Sequence, residues 1–458
     1  MRFVRCVAVS GVKRVIYIFF VGWIMMALQT AGAHAEGAGV FHPQSFTLEN
    51  GLQVVIVEDH RVPAVSHFIW YRVGAMDEPR GKSGIAHFLE HLMFKATKTI
   101  PEGEFSRRIG RMGGDLNAFT AWDYTAYYVK IAREHLPVVM AMEADRMRNI
   151  DLSEEAVKTE RDVVLAERKQ VVDSDVTRQF SEQMAAALYQ NHPYSVPIIG
   201  WMHEIKALNR QDALAFYQTY YAPNNAVVVI SGDITLKDAK ALAEQHYGPL
   251  KPSVLPPKVS LSEPPHLAHR RLNMTDARVS MPTWERQYVV ASTPNADPQD
   301  KTPYALQVLS ALLASGDTGL LHEHLVHDLN VANAVSVDYD PQRRGPTVFE
   351  ISVIPSNPSK PAFQKIESAV DDLLKTIDTH LTEDDIARVK TTLVAEATFA
   401  RDGLFYPGMI VGQTVTIGQP LDYIETWPDH IATVTKDDIL AAVKTLKLEN
   451  AVTGTLAP

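Results

Sequence analysis

Residues 81–97 read Gly-Lys-Ser-Gly-Ile-Ala-His-Phe-Leu-Glu-His-Leu-Met-Phe-Lys-Ala-Thr. Ser83 is a fair N-cap, and the apolar residues after it recur at helical spacing, which predicts a helix from about Gly84 to Ala96. Each helical residue turns about 100° from the last, so His91 falls roughly 40° from His87 and Glu90 roughly 60° to the other side. The three side chains therefore share one face. Two imidazoles one turn apart can grip a single Zn²⁺ through one nitrogen each, and the carboxylate beside them can hold a water at the metal.

A five-residue pattern with three fixed positions arises by chance in about one chain in twenty of this length, so the motif needs support from elsewhere. Its flanks, Phe88, Leu89, Leu92, Met93 and Phe94, are strongly apolar. A carboxylate buried among them costs several kcal/mol unless it is partnered, and a metal is one such partner. A catalytic zinc takes three protein ligands and keeps one position open. Residues 159–168, Thr-Glu-Arg-Asp-Val-Val-Leu-Ala-Glu-Arg, offer a candidate, because Glu160 and Glu167 lie seven apart on nearly the same helical face.

With these two stretches together the chain resembles the insulinase/pitrilysin family of zinc peptidases, which includes the mitochondrial processing peptidases. His-x-x-Glu-His is the inverzincin signature of that family. In the family a Glu about 76 residues beyond the second His completes the metal site, and a Glu seven residues earlier supports it; here these positions are Glu167 and Glu160. The resemblance implies one Zn²⁺ per chain, held by His87, His91 and Glu167. It further implies Glu90 as the general base and Glu160 as a catalytic-site group that orients a ligand or the attacking water.

Residues 1–35 read as a targeting segment. Arg2, Arg5, Lys13 and Arg14 precede or open an apolar run of 14 residues, Val15 to Leu28, and Ala33-His34-Ala35 is an Ala-x-Ala cleavage site. A mature chain from Glu36, exported and most simply periplasmic, is expected; an uncleaved anchor is the alternative. No later stretch is long and apolar enough to span a bilayer. The formal charge of −10 becomes −14 once the four basic residues of 1–35 leave, since no acid lies there. An acidic chain without a basic stripe argues against nucleic acid as a partner. Cys6, the only cysteine, leaves with the same segment.

The expected architecture is α+β. Two homologous α/β sandwich-type halves, each a mixed or antiparallel sheet with helices packed on one face, would close as a clamshell; this repeat is implied by the resemblance. The first half spans 36–248. It opens on a hairpin turning at Asn50-Gly51 and continues with a strand at 65–73 and two more at 113–120 and 125–131. Helices at 134–149 and around 160–167, a central β-branched strand at 226–231 and a helix at 236–247 complete it. Residues 249–269 carry six prolines and read as an extended linker. The second half, 270–458, is expected to hold strands at 286–291, 348–354 and 451–456 and helices at 303–314 and 435–446, with no metal motif.

The family gives the strand Asn117-Ala118-Phe119-Thr120 a meaning: its counterpart is a sheet edge along which extended peptide substrate pairs. Free edge N–H and C=O groups hold any peptide backbone, so Asn117, Ala118 and Phe119 are the substrate-binding candidates. Asn117 could also hold a substrate carbonyl near the metal. The competing expectation is an ordinary strand covered by a loop.

The second half departs from its relatives. Many short members carry an Arg and a Tyr that stabilise the oxyanion. In Gly316-Asp317-Thr318-Gly319-Leu320-Leu321-His322-Glu323-His324-Leu325 and beyond, Leu320 and Asn333 occupy those places. Losing one oxyanion donor typically costs about 10²–10³ in rate. The chain is therefore expected to bring the zinc to a heterodimer whose homologous partner supplies the Arg and Tyr, with Arg343 or Arg344 as alternative donors. Peptides or unfolded polypeptides are the expected substrates. A non-proteolytic assembly or binding subunit is the competing reading, set against the full motif. His322, His324 and His327 are not taken as a second metal site, since residues two apart on a helix diverge.

Overall fold

The computed structural model describes residues 40–258, 261–294, 296–297, 299–399 and 403–458. The targeting segment 1–35, its cleavage site and Cys6 lie outside the described residues. Among the described residues eleven strands form two sheets. The first contains β1 (Gln44–Thr47), β2 (Gln53–Glu58), β3 (Ala64–Tyr71), β4 (Asp115–Thr120), β5 (Thr125–Ala132) and β6 (Ala226–Gly232), in the order β1-β2-β6-β3-β5-β4. The second contains β7 (Arg270–Thr275), β8 (Thr283–Val290), β9 (Ala332–Tyr339), β10 (Thr347–Pro355) and β11 (Ala451–Ala457), in the order β7-β11-β8-β10-β9.

Without β1, the two orders are the same. In each half the last strand inserts beside the first, parallel to it, and pairs antiparallel with the second; β6 does this in the first sheet and β11 in the second. The third strand of each half, β4 or β9, ends its sheet as an edge. The second half therefore repeats the first at the level of topology. β6 is central for the reason its sequence suggests: seven small or β-branched residues, all buried, can be covered on both faces.

The period-two alternation of β3 divides the core. Ile69 and Tyr71 join an apolar layer with the His87 helix and the helix Leu136–Arg148, whereas Phe68 and Trp70 face a larger cluster that runs on into the second half. One helix from each half crosses to the other. Phe405–Thr416 lies across β3 and β6 with Gly408 against the Phe68 ring and Gly412 against the Trp70 indole. Val176–Leu188 lies on β11 and β7, where Gly454 meets Phe180 and Met184. Each sheet thus has several helices of its own on one face and a single helix from the opposite half on the other.

Several local expectations change. The helix is shorter than its periodicity suggests, Ile85–Leu92, and Ser83 does not cap it. Gly84 is the N-cap at φ +85°, and the Glu78 carboxylate accepts the N–H groups of Gly84 and Ala86 at 2.9 Å each. Ser83 Oγ instead accepts the Trp201 N–H. The Pro-rich segment has no helix or strand among its described residues, but it is strapped down: Glu263 accepts backbone N–H groups of Asn191 and His192 at 3.1 and 2.8 Å, and of Gln190. The sequence reading left out β7, β9 and the helices Glu104–Arg111, Val176–Leu188, Met202–Ala207, Arg210–Tyr220, Lys360–Thr376, Glu383–Phe399, Phe405–Thr416 and Tyr423–Ala432.

Candidate metal centre

The helix Ile85–Leu92 follows β3 after a connection, residues 72–84, that includes the 3-10 turn Ala75–Asp77, and it buries its whole length except His91, which is partly covered. The helix Glu154–Arg168, started by Ser153 Oγ accepting the Ala156 N–H, packs against it and turns Glu160 and Glu167 toward the two imidazoles. His87 Nε2 lies 3.8 Å and His91 Nε2 3.3 Å from the same oxygen, Glu167 Oε2. One ligand atom from each of the three residues falls within 4.8 Å of the others. Among the described residues this is the one group of three or more such side chains close enough to share an ion.

Glu160 works from behind. Its Oε1 holds His91 Nδ1 at 2.9 Å, and its Oε2 accepts from Lys95 Nζ at 2.7 Å. That contact leaves His91 Nε2 as the nitrogen facing Glu167. Burial alone would raise the Glu160 carboxyl, but the hydrogen bonds from His91 and Lys95 outweigh it and hold it below the ordinary range. Glu167 is likewise raised by burial and held low by His91 and His87. Burial, with the neighbouring His91, pushes His87 down to about 4, so its ring is a neutral donor at physiological pH. Glu90 is 1% exposed and does not belong to the converging trio; Thr120 Oγ1 donates to its Oε2 at 2.6 Å.

Whether these residues suit a dication is tested by what they leave unsatisfied. Glu167 Oε2 and His87 Nδ1 are buried side-chain atoms with no hydrogen-bond partner. Two imidazoles and one carboxylate converging in a largely buried site are the donor set of a Zn²⁺ centre that keeps one position open.

The strand β4 borders this centre. The Ala121 N–H donates to Tyr124 O at 2.8 Å, closing a two-residue hairpin. The antiparallel alternation then turns the N–H and C=O groups of Leu116, Ala118 and Thr120 outward, to the free edge. By the same alternation Ala118 and Thr120 look toward the His87 helix, whereas Phe119 packs on Trp70 on the far face with Asn117. Asn117 Oδ1 accepts the Ala118 N–H at 2.9 Å. The Asn117 side chain is thus engaged on its own strand in the absence of a bound peptide.

Leu320 packs on the core of the second half, and Asn333 is exposed on β9. Arg343 and Arg344 are both committed at the boundary between the halves. Arg344 pairs with Asp77 at 2.9 Å, and Arg343 pairs with Asp340 at 3.0 Å and lies over the Trp122 ring. Neither is a free cation for the oxyanion. The sequence reading missed Lys95 and Thr120. Lys95 stands four residues beyond His91, and Thr120 shares a strand face with Ala118; either spacing could have flagged them.

Residues 53–201 match the family "Insulinase (Peptidase family M16)", and residues 207–393 match "Peptidase M16 inactive domain". The zinc protease PqqE of Helicobacter pylori is 30% identical over 376 residues, which is 81% of this chain and 83% of that protein. A crystal structure of a protease from Helicobacter pylori superposes with a TM-score of 0.83 at 27% identity, covering 92% of this chain and all (100%) of that one. The periplasmic protease PqqL of Escherichia coli shares the fold at a TM-score of 0.76 and 19% identity; the alignment covers 93% of this chain and 48% of that one. The motif, its spacing, the two-half topology and these matches agree: the chain belongs to the insulinase (M16) family of zinc peptidases.

Proposed function

We propose that the chain is a zinc endopeptidase acting on extended peptides or unfolded polypeptides. The observation that carries this reading is the convergence of His87, His91 and Glu167 within 4.8 Å, with the buried Glu90 carboxylate beside them. His87, His91 and Glu167 would hold the ion, one per chain. Zn²⁺, when bound, supplies Lewis acidity that polarises a peptide carbonyl and acidifies a water. Glu90 takes a proton from the attacking water and returns it to the leaving amine. Glu160, braced by Lys95, fixes the tautomer and orientation of His91. Along the Asn117-Ala118-Phe119 stretch of β4, the outward N–H and C=O groups of Ala118, with those of Leu116 and Thr120, bind substrate backbone by strand addition, which selects an extended conformation whatever the side chains. The Asn117 amide is displaced from the Ala118 N–H when a peptide pairs there.

Two points favour action in a heterodimer: the family resemblance sets Leu320 and Asn333 against an Arg and a Tyr of short relatives, and Arg343 and Arg344 are tied up in ion pairs. A homologous subunit would then complete the oxyanion site. Export to the periplasm is supported by the character of residues 1–35, and the Escherichia coli protein of the same fold is a periplasmic protease. The test is Glu90→Gln in the reconstituted complex. It should lower kcat by about 10²–10⁴-fold with zinc retained, and unchanged turnover would exclude Glu90 as the base. Full activity of the purified single chain would remove the need for a partner.

A further inference from the structure

We propose that Thr120 is a positioning residue for Glu90, so that one strand aligns both the substrate backbone and the base. The proposal rests on the peptidase reading above. Thr120 is 3% and Glu90 1% exposed, and the hydroxyl donates to Oε2 at 2.6 Å across the gap between β4 and the His87 helix. A threonine side chain is stiff about χ1, so the strand backbone dictates where its hydroxyl points.

That backbone is itself clamped. Thr120 pairs with Thr125, whose Oγ1 donates to Val73 O at 3.1 Å. The Ala75 and Met76 N–H groups donate to Ala121 O and Trp122 O at 3.0 and 2.9 Å. Gly74 permits this approach: a Cβ there would overlap the carbonyl oxygens of Ala121 and Trp122. At the same residue the main-chain groups look outward to the free edge. A peptide pairing there would touch the main chain of the residue whose side chain holds the base, which ties the register of the bound strand to the direction of the Glu90 carboxylate. A hydroxyl that merely satisfied a buried carboxylate would affect stability and leave turnover untouched.

Thr120→Val removes the hydroxyl at nearly constant shape, and Thr120→Ser keeps it. In the reconstituted complex, Thr120→Val should retain zinc and KM while kcat falls about 10- to 10²-fold, the scale of a misplaced catalytic group. Thr120→Ser should return kcat to near the wild-type value. A second readout needs no turnover: in crystals of the variants, the Glu90 carboxylate should leave its position in Thr120→Val and keep it in Thr120→Ser. Unchanged kcat in zinc-loaded Thr120→Val, failure of Thr120→Ser to rescue, or a Glu90 carboxylate unmoved in Thr120→Val would each overturn the proposal. Glu90→Gln run alongside separates the two ideas. If it is as active as wild type, the base assignment fails; if it is inactive while Thr120→Val is normal, only the positioning role fails.

Discussion

The two halves share one strand topology and fill the same space with opposite chemistry. After β3 the first half places Ile85–Leu92, with His87 and His91 turned to the acidic face of Glu154–Arg168 and Glu90 held by Thr120 of β4. At the corresponding step the second half places Thr302–Ala314, whose buried residues include Ala305, Leu306, Val308, Leu309, Leu312 and Leu313. Apolar side chains stabilise that layer by burial alone. The first half gives up this simple packing for imidazoles and carboxylates, which are costly to bury unless they are hydrogen-bonded or bind a cation. The fold therefore does not require the polar cluster.

The faces covered by the exchanged helices differ as well. Under Phe405–Thr416 the first sheet is aromatic, with Phe68, Trp70 and Tyr128 in contact. Beside Val176–Leu188 the second sheet carries Glu285, Gln287 and Glu350, with Gln287 Nε2 donating to Glu285 at 2.6 Å and Glu350 at 3.1 Å. Close approach is achieved by glycines in the helix in the first case and by a glycine in the strand in the second.

The largest effect on stability should come from buried ion pairs. Arg146 is 2% exposed, is held by Glu143 through two hydrogen bonds of 2.6 and 2.7 Å, and lies over the rings of Phe105 and Tyr127. Glu143→Ala strands that cation and should cost about 3–5 kcal/mol by urea denaturation. In the second half Arg286 is equally buried, but it is shared among Asp371, Glu367, Thr453 and Tyr288, and Asp371 is half in water. Asp371→Ala should therefore cost about 1 kcal/mol or less. Equal losses would contradict the contrast drawn between these two cations.

At the exchanged helices, Gly412→Ala drives a Cβ into the rigid Trp70 indole and should cost about 1–3 kcal/mol. Gly454→Ala meets the pliable Met184 thioether as well as Phe180, and its loss should be smaller. The smallest effect is a dependence on pH. Burial, then the Asp338 charge, push Glu350 up to about 7, above the 4.5 of an ordinary glutamate. The protonated form is favoured in the folded state, so its contribution is complete below 4.5 and fades as pH rises through 7. Tm should fall between pH 5 and 8 more steeply in wild type than in Glu350→Gln, as scanning calorimetry would show.

The His87, His91 and Glu167 cluster was the most legible feature: helical spacing put the two imidazoles on one face, and the family resemblance pointed to Glu167. The first half was legible where single elements carry strong periodicity, as in β3 and β6. The exchanged helix Phe405–Thr416 was not. It is apolar nearly all round with glycines on one side, and its meaning depends on Phe68 and Trp70 more than three hundred residues away. β9 was missed because an edge strand with one exposed side lacks a continuous apolar run. Ser83 misled because the capping acceptor for its helix comes from Glu78 rather than from the residue just before it.

The most direct measurement is the zinc content of the purified chain by elemental mass spectrometry, beside His87→Ala, Glu167→Gln and Glu90→Gln. One Zn²⁺ per chain is expected in wild type and in Glu90→Gln, with near-complete loss in the other two. Zinc retained at full stoichiometry after Glu167→Gln or His87→Ala, or a wild-type chain that cannot be loaded, would contradict the assignment of this centre.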